Sequence, residues 1–136
     1  MRRNIFIGLI FVLFAVMLTG CGRSDGRIVI RGNVTLDGVS LGDGTIAFFP
    51  TGGGNGVSSG GSVKQGLYAS DVMPGKYVVQ ITANRKTGKM LPSSSGDPPI
   101  EEFEQYIPAK YNKKSELTIE VENKSKQTFD FTLESK

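Results

Sequence analysis

The chain has 136 residues, with one cysteine, no histidine and no tryptophan, and its formal net charge is +3. One cysteine excludes an internal disulfide framework, and the lack of histidine argues against an enzyme, because histidine is the commonest general base near neutral pH. Basic residues are scattered among acidic ones without interleaved aromatics, so we expect no nucleic-acid partner, and no motif indicates a cofactor.

The first 20 residues have the character of a cleaved export signal. A positive start at Arg2 and Arg3 is followed by an almost wholly apolar run over residues 5–18. A helix of that length rises only about 21 Å, which is short for the roughly 30 Å hydrocarbon core of a bilayer but suits a signal peptide. Without residues 1–20 the chain has 14 basic and 13 acidic residues, so the mature protein is nearly neutral.

A cysteine motif follows the apolar run, and its residues are Leu18, Thr19, Gly20 and Cys21. They resemble the bacterial lipobox, in which the cysteine is acylated through its sulfur and becomes the first residue after cleavage. The resemblance implies a lipid-anchored protein with the lipid on Cys21, since two or three acyl chains hold a protein firmly at a membrane. Gly22, where an aspartate would favour the inner membrane, implies the outer membrane or cell surface. An uncleaved anchor helix is the alternative.

The mature chain begins with a short polar segment and then a strand pattern. Residues 21–26 predict a flexible tether carrying the lipid, and residues 27–136 are of a length typical of one domain. Apolar and polar residues alternate over residues 28–36, which predicts a half-buried strand. An Asp-Gly turn is expected at residues 37–38, and a second strand at residues 45–49.

The middle of the chain alternates between loop and strand signals. Glycine-rich residues 51–61 predict a loop, and their spacing matches neither the dinucleotide-binding nor the P-loop pattern. Residues 63–69 predict a weak, glycine-interrupted strand, and residues 76–82 a central one, because tyrosine, valine and isoleucine share one face. Residues 84–100 are rich in proline, serine and glycine and predict a second long loop, which continues to residue 106 with one helical turn over residues 101–106.

Clear alternation returns near the end, over residues 117–122 and 129–134, with a turn at residues 123–126 between them. About seven short strands, turn residues throughout and almost no helical periodicity predict an all-β protein. The expected fold is an antiparallel seven-stranded Greek-key β-sandwich that follows a cleaved signal peptide.

A family resemblance covers most of residues 27–134. The residues that carry it are segment 32–38 with Leu41, Gly44, Ile46, Phe48 and Pro50, and then segments 74–79, 107–111, 117–118 and 129–131. In this order they resemble small bacterial lipoproteins with a carboxypeptidase-regulatory-like domain, abundant in planctomycetes. The resemblance implies a transthyretin-like (prealbumin-like) sandwich and no catalytic residues. The sequence departs from the family at residues 64–68, where the family usually has an Asp-Gly turn.

Long loops on a rigid scaffold are where binding residues commonly lie, so we expect the two predicted loops to contact a protein or glycan partner. The candidate contact residues are Asn55, Ser58, Ser59, Arg85, Lys86, Lys89 and Tyr106. The expected function is that of a non-catalytic binding or structural module of the envelope. The alternative is an accessory domain or subunit of an envelope hydrolase.

Two other residue groups are candidate sites. The densest acidic group comprises Asp97, Glu101, Glu102 and Glu104. Carboxylate oxygens suit Ca²⁺, but the spacing of these residues is not that of an EF-hand. The second group is the tyrosines, Tyr68, Tyr77, Tyr106 and Tyr111. Packing in the core explains them better than a platform on which sugars stack. Neither group predicts a metal or a ligand site.

The serines offer a third interpretation, a nucleophile activated by lysine. Ser58 and Ser59 lie in the first predicted loop and residues 93–95 in the second, so Lys64 or Lys89 would have to act as the base. Nothing in the spacing favours such a pair, and we expect no enzymatic activity.

Overall fold

The computed structural model describes residues 25–52, 57–93 and 96–136, which form eleven strands and one short 3₁₀ turn. The strands are β1 Ile28–Leu36, β2 Val39–Ser40, β3 Asp43–Pro50, β4 Ser59–Lys64, β5 Leu67–Val72, β6 Gly75–Thr82, β7 Asn84–Leu91, β8 Ile100–Gln105, β9 Thr118–Val121, β10 Lys126–Thr128 and β11 Phe131–Leu133. The 3₁₀ turn spans Ala109–Tyr111. The predicted all-β sandwich is confirmed, with more strands than the seven expected.

The main sheet has the order β10-β1-β5-β4-β3-β6-β9, with β2 and β11 also paired to β1. Alternate residues of each strand point to the same face of the sheet. On the inner face these residues are apolar. The predicted inward faces of β1 and β6 are confirmed, since residues such as Ile30 and Val79 have no exposed surface. The buried core consists of Ile28, Ile30, Val34, Leu41, Ile46, Phe48, Val63, Tyr68, Val72, Tyr77, Val79, Ile81, Ala83, Ile107, Ile119, Val121, Phe131 and Leu133.

The sheet curls until its two outermost strands approach each other. β9 and β10 lie at opposite ends of the strand order, yet only residues 122–125 join them, a length of at most about 17 Å. The Gln127 side chain bridges the connection: its amide nitrogen donates to the Glu122 carbonyl at 2.6 Å, and its amide oxygen accepts from the Glu122 N–H at 3.1 Å. The predicted turn therefore joins strands with different partners, because β9 pairs antiparallel with β6 while β10 and β11 run parallel to β1.

The weak strand predicted over residues 63–69 is in fact parts of two strands, β4 and β5. Gln65 and Gly66 connect them with φ angles of 51° and 81°, and Lys64 faces Leu67 across the turn. Positive φ at both central residues is the geometry of a two-residue type I′ hairpin turn. The glycine-rich loop is also shorter than predicted, because residue 59 already belongs to β4.

β1 passes close to the segment between β10 and β11. The Phe129 N–H donates to the Arg31 carbonyl at 2.9 Å, and the Phe129 carbonyl accepts from the Tyr68 hydroxyl at 2.7 Å. Burial raises the pKa of the Tyr68 hydroxyl well above its usual range, and the Asp130 carboxylate raises it further. The hydroxyl therefore remains a donor at any physiological pH. Gly32 faces this junction, and a Cβ there would lie 1.8 Å from the Phe129 oxygen.

Candidate functional site

Residues 84–106, predicted as a loop with a helical turn, form a β-hairpin instead. β7 and β8 pair antiparallel from Asn84 opposite Gln105 to Leu91 opposite Ile100, and they make up a sheet of their own. The prediction was wrong because most proline and serine residues of this segment fall between the two strands in sequence, in residues 92–99. A register shift between Lys86 and Met90 also breaks the alternation that would have marked β7 as a strand.

The hairpin joins the sandwich at its base. The Tyr106 N–H donates to the Ala83 carbonyl at 3.1 Å, and the half-buried Tyr106 ring packs against the core. The Arg85 guanidinium lies 5.6 Å from the centre of that ring. Further out, Thr87, Ser93 and Glu102 are half-buried, and the Thr87 hydroxyl donates to the Glu102 carboxylate at 2.6 Å. Among the described strands, β7 and β8 pair only with each other.

The outer half of the hairpin exposes four large apolar side chains, here called the apolar tip: Met90, Leu91, Ile100 and Phe103. Their exposed fractions are 57%, 41%, 61% and 57%, respectively. Leu91 and Ile100 face each other across the strands, and the register places Met90 and Phe103 on the opposite face. Clustered exposed apolar groups mark interaction surfaces, and a free two-stranded hairpin is only marginally stable in water. Sequence reasoning missed these residues, although four large apolar side chains in a polar segment were a visible signal.

The charged residues of the hairpin largely pair with one another. Arg85 contacts Glu104 at 3.2 Å and Lys86 contacts Glu101 at 2.6 Å, and all four side chains are largely exposed. Exposed ion pairs of this kind contribute little to stability. Across the described residues, no group of three or more acidic or cysteine side chains is arranged to hold a metal ion. Each of the acidic residues Glu101, Glu102 and Glu104 of β8 contacts a residue of β7.

The two predicted loops lie at opposite ends of β6. The Thr51 N–H donates to the Lys76 carbonyl near the first residue of β6, whereas the hairpin begins two residues after the last, Thr82. The eight residues of β6 span about 26 Å. Ser58 consequently shares no surface with Arg85, and the predicted contact residues do not form one site.

Ser59 is part of the sheet. Its hydroxyl donates to the Asp71 carbonyl at 2.7 Å and lies 2.9 Å from the Ser70 hydroxyl. Lys64 is five residues along β4 and therefore on its opposite face, and Lys89 is on the hairpin at the far end. Neither lysine is placed to activate Ser59.

The four tyrosines lie in the core or against it. Tyr68 and Tyr77 are buried in the core, as expected, and Tyr106 and Tyr111 are half-buried against it. The Tyr77 hydroxyl donates to the Met73 carbonyl, and burial raises its pKa. The predicted residues that lie outside the described part of the chain are Leu18, Thr19, Gly20, Cys21 and Asn55.

Comparisons with known proteins add little to this geometry. No family model matches the sequence, and no curated protein matches it. Among solved structures, the crystal structure of a 9R-lipoxygenase from Cyanothece PCC8801 aligns with 80% of this chain at 15% identity and a TM-score of 0.42, and the chain spans 16% of that lipoxygenase. A likeness at this level assigns neither activity nor ligand. In the described ranges, no helix combines the length and apolar character required to cross a bilayer.

Proposed function

We propose that this protein is a lipid-anchored envelope lipoprotein that acts as a non-catalytic binding module, with the apolar tip docking onto a protein partner. The observation that carries the proposal is the placement of the tip at the opposite end of β6 from the start of β1. A protein held by lipid near its N-terminus would present the tip to whatever lies away from the membrane. The lipobox at residues 18–21 supports the anchor, and Gly22 supports the outer membrane or cell surface.

The two ends of the sandwich are defined by contacts along β6. A Cβ on Gly26, just before β1, would lie 3.6 Å from the Met73 side chain, which directly precedes the Pro74-Gly75 turn into β6. A lipid on Cys21 therefore places the bilayer near this end, because only a few residues separate Cys21 from Gly26. The hairpin begins at the other end of β6, two residues after Thr82 and about 26 Å from the first residue of that strand. We therefore infer that a partner, rather than the membrane that holds the anchor, covers the tip.

The chemistry of the tip favours a protein over a glycan. Its four side chains are aliphatic or phenyl groups without a hydrogen-bonding atom, apart from the weakly accepting thioether of Met90. Sugars present many hydroxyl groups that need hydrogen-bond partners, whereas a groove in a protein can enclose an apolar hairpin and gain about 25 cal/mol for each Å² of apolar surface removed from water.

Replacing the tip residues is expected to abolish partner binding without unfolding the sandwich. In cells that express the tagged lipoprotein, we expect cross-linking and mass spectrometry to recover one predominant protein. The double variants Leu91→Ser/Ile100→Ser and Met90→Ser/Phe103→Ser should each reduce its yield at least about tenfold, as expected when buried interface anchors are lost. A hydrolase partner would be identified by the same cross-link.

The matched control is Val57→Ser, because Val57 is 58% exposed but lies in the loop at the anchor end. This variant should keep the parental yield. The proposal would be contradicted if both tip variants gave the parental yield of the cross-linked partner, or if Val57→Ser lowered that yield as much as they do.

The anchor is tested separately. We expect the mature N-terminus to be Cys21 carrying diacylglycerol, and Cys21→Ala to lose the lipid label and leave the membrane fraction, since no other thiol is present in the chain. Intact mass spectrometry of the mature protein measures this directly. An unmodified Cys21, or a protein that retains Met1, would refute the lipoprotein assignment while leaving the tip experiment valid.

A further inference from the structure

The outer face of the sheet carries an open cleft of about 720 Å³, separate from the hairpin. It runs across β10, β1, β5 and β4, where the strand registers place Arg31 beside both Thr128 and Ala69, and Leu67 beside both Asn33 and Lys64. Three strand spacings give it a width of about 14 Å. The polar and small residues lining it are Arg31, Asn33, Ser62, Lys64, Ala69 and Thr128.

The floor of the cleft is low at its centre and apolar at one side. Ala69 is the central outward residue of β5, and its methyl group leaves space between the longer side chains of β1 and β4. Leu67, two residues away on the same face, is 61% exposed. A sugar ring could pack against Leu67 in this depression, with the polar side chains of the cleft around it.

The charge of the cleft comes from two exposed cations. Arg31 and Lys64 form no ion pair with any of the described residues. Three carboxylates lie beside the cleft without lining it: Asp43 faces Lys64 across β3 and β4, Asp71 is two residues beyond Ala69 on the same face of β5, and Asp130 accepts from the Asn33 N–H at 2.7 Å. Among the residues that line the cleft, Arg31 and Lys64 carry the only charges.

We propose that this cleft binds an acidic oligosaccharide, with Arg31 and Lys64 on its carboxylates. The side chains of Asn33, Ser62 and Thr128 supply hydrogen-bond partners for sugar hydroxyls. A peptide strand fits less well, because peptide recognition by a sheet uses free backbone groups at an edge, and the cleft lies on a face where those groups are paired. The assignment is independent of the apolar tip.

The full chain, purified in detergent, can be tested by isothermal titration calorimetry with trisaccharides of galacturonic and of glucuronic acid. We expect the acids to bind and their methyl esters to bind at least about tenfold more weakly, because ester formation removes the charge that strengthens these hydrogen bonds. Arg31→Gln and Lys64→Gln should each weaken binding about tenfold. Lys89→Gln, the same change on the hairpin, should bind like the parent.

Four results would overturn the proposal: no binding of either acid, equal binding of acid and ester, parental affinity in both cleft variants, or tighter binding of hexaglutamate than of the trisaccharides. The last would assign the cleft to acidic peptides. The tip variants serve as a cross-check, since they should keep parental affinity for the acids. A failed cleft experiment therefore leaves the docking role of the hairpin untouched, and the converse also holds.

Discussion

Gly32→Ala is expected to lower the free energy of unfolding by about 3 kcal/mol, because the added methyl group has no space in the folded chain. Its Cβ would lie 1.8 Å from the Phe129 oxygen, 2.6 Å from the Phe129 carbonyl carbon and 3.0 Å from the Tyr68 ring. The first two are backbone atoms, so relief requires the segment between β10 and β11 to move away from β1. That movement breaks the hydrogen bonds from Tyr68 and to Arg31 as well.

Urea denaturation of the chain beginning at Asp25, which contains every described strand, measures this change. Gly42→Ala is the matched control: nothing lies within 4 Å of a Cβ there, and its φ is not in the left-handed region. The control should stay within about 0.5 kcal/mol of the parent. Amide exchange at Phe129 gives a second readout and should accelerate only in Gly32→Ala. Equal stability of the two variants would show that β1 and residue 129 do not meet as described.

Phe48→Ala is expected to cost about 3–5 kcal/mol of stability, the range for removing a fully buried phenyl ring. Phe48 has no exposed surface, and its ring centre lies 6.0 Å from that of Tyr68, which in turn packs at the same distance from Phe131. The substitution leaves a cavity at the centre of the sandwich, bordered by both halves of the curled sheet.

The neighbouring residue supplies the control. Phe49 follows on the same strand but points outward and is 41% exposed. Phe49→Ala should therefore cost clearly less than Phe48→Ala, since 41% of the Phe49 surface stays in water after folding. Because successive strand residues face opposite sides, a shift of one residue in the pairing of β3 would exchange the two results. Thermal or urea unfolding of both variants distinguishes the registers.

The two proposed binding surfaces lie on different parts of the protein. The hairpin that carries the apolar tip begins at one end of β6, and the start of β1 lies at the other end. The cleft lies between them on an outer face. A protein anchored through Cys21 would thus hold a partner at its distal end and a glycan along its side. Cross-linking and calorimetry test these two contacts independently.

Local pattern was enough to predict much of the sandwich. Alternation placed Ile30 and Val79 on buried faces, and both have no exposed surface. The Asp-Gly turn at residues 37–38 is also confirmed, with positive φ at both residues and Leu36 paired with Val39. These features depend only on side chains and backbone preferences within a few residues, so the sequence by itself determines them.

The candidate surfaces depended on the tertiary structure. The hairpin was missed because its pairing compensates for weak strand propensity and because the register shift after Lys86 hides the alternation. Arg31 and Lys64 are far apart in sequence, and alternation states which face a residue occupies but not which strand lies beside it. Strand partners are decided by long-range burial of the shared core, as the parallel pairing of β10 and β11 with β1 shows. Only that packing brings the cations together on the outer face and directs the apolar tip away from the end where β1 begins.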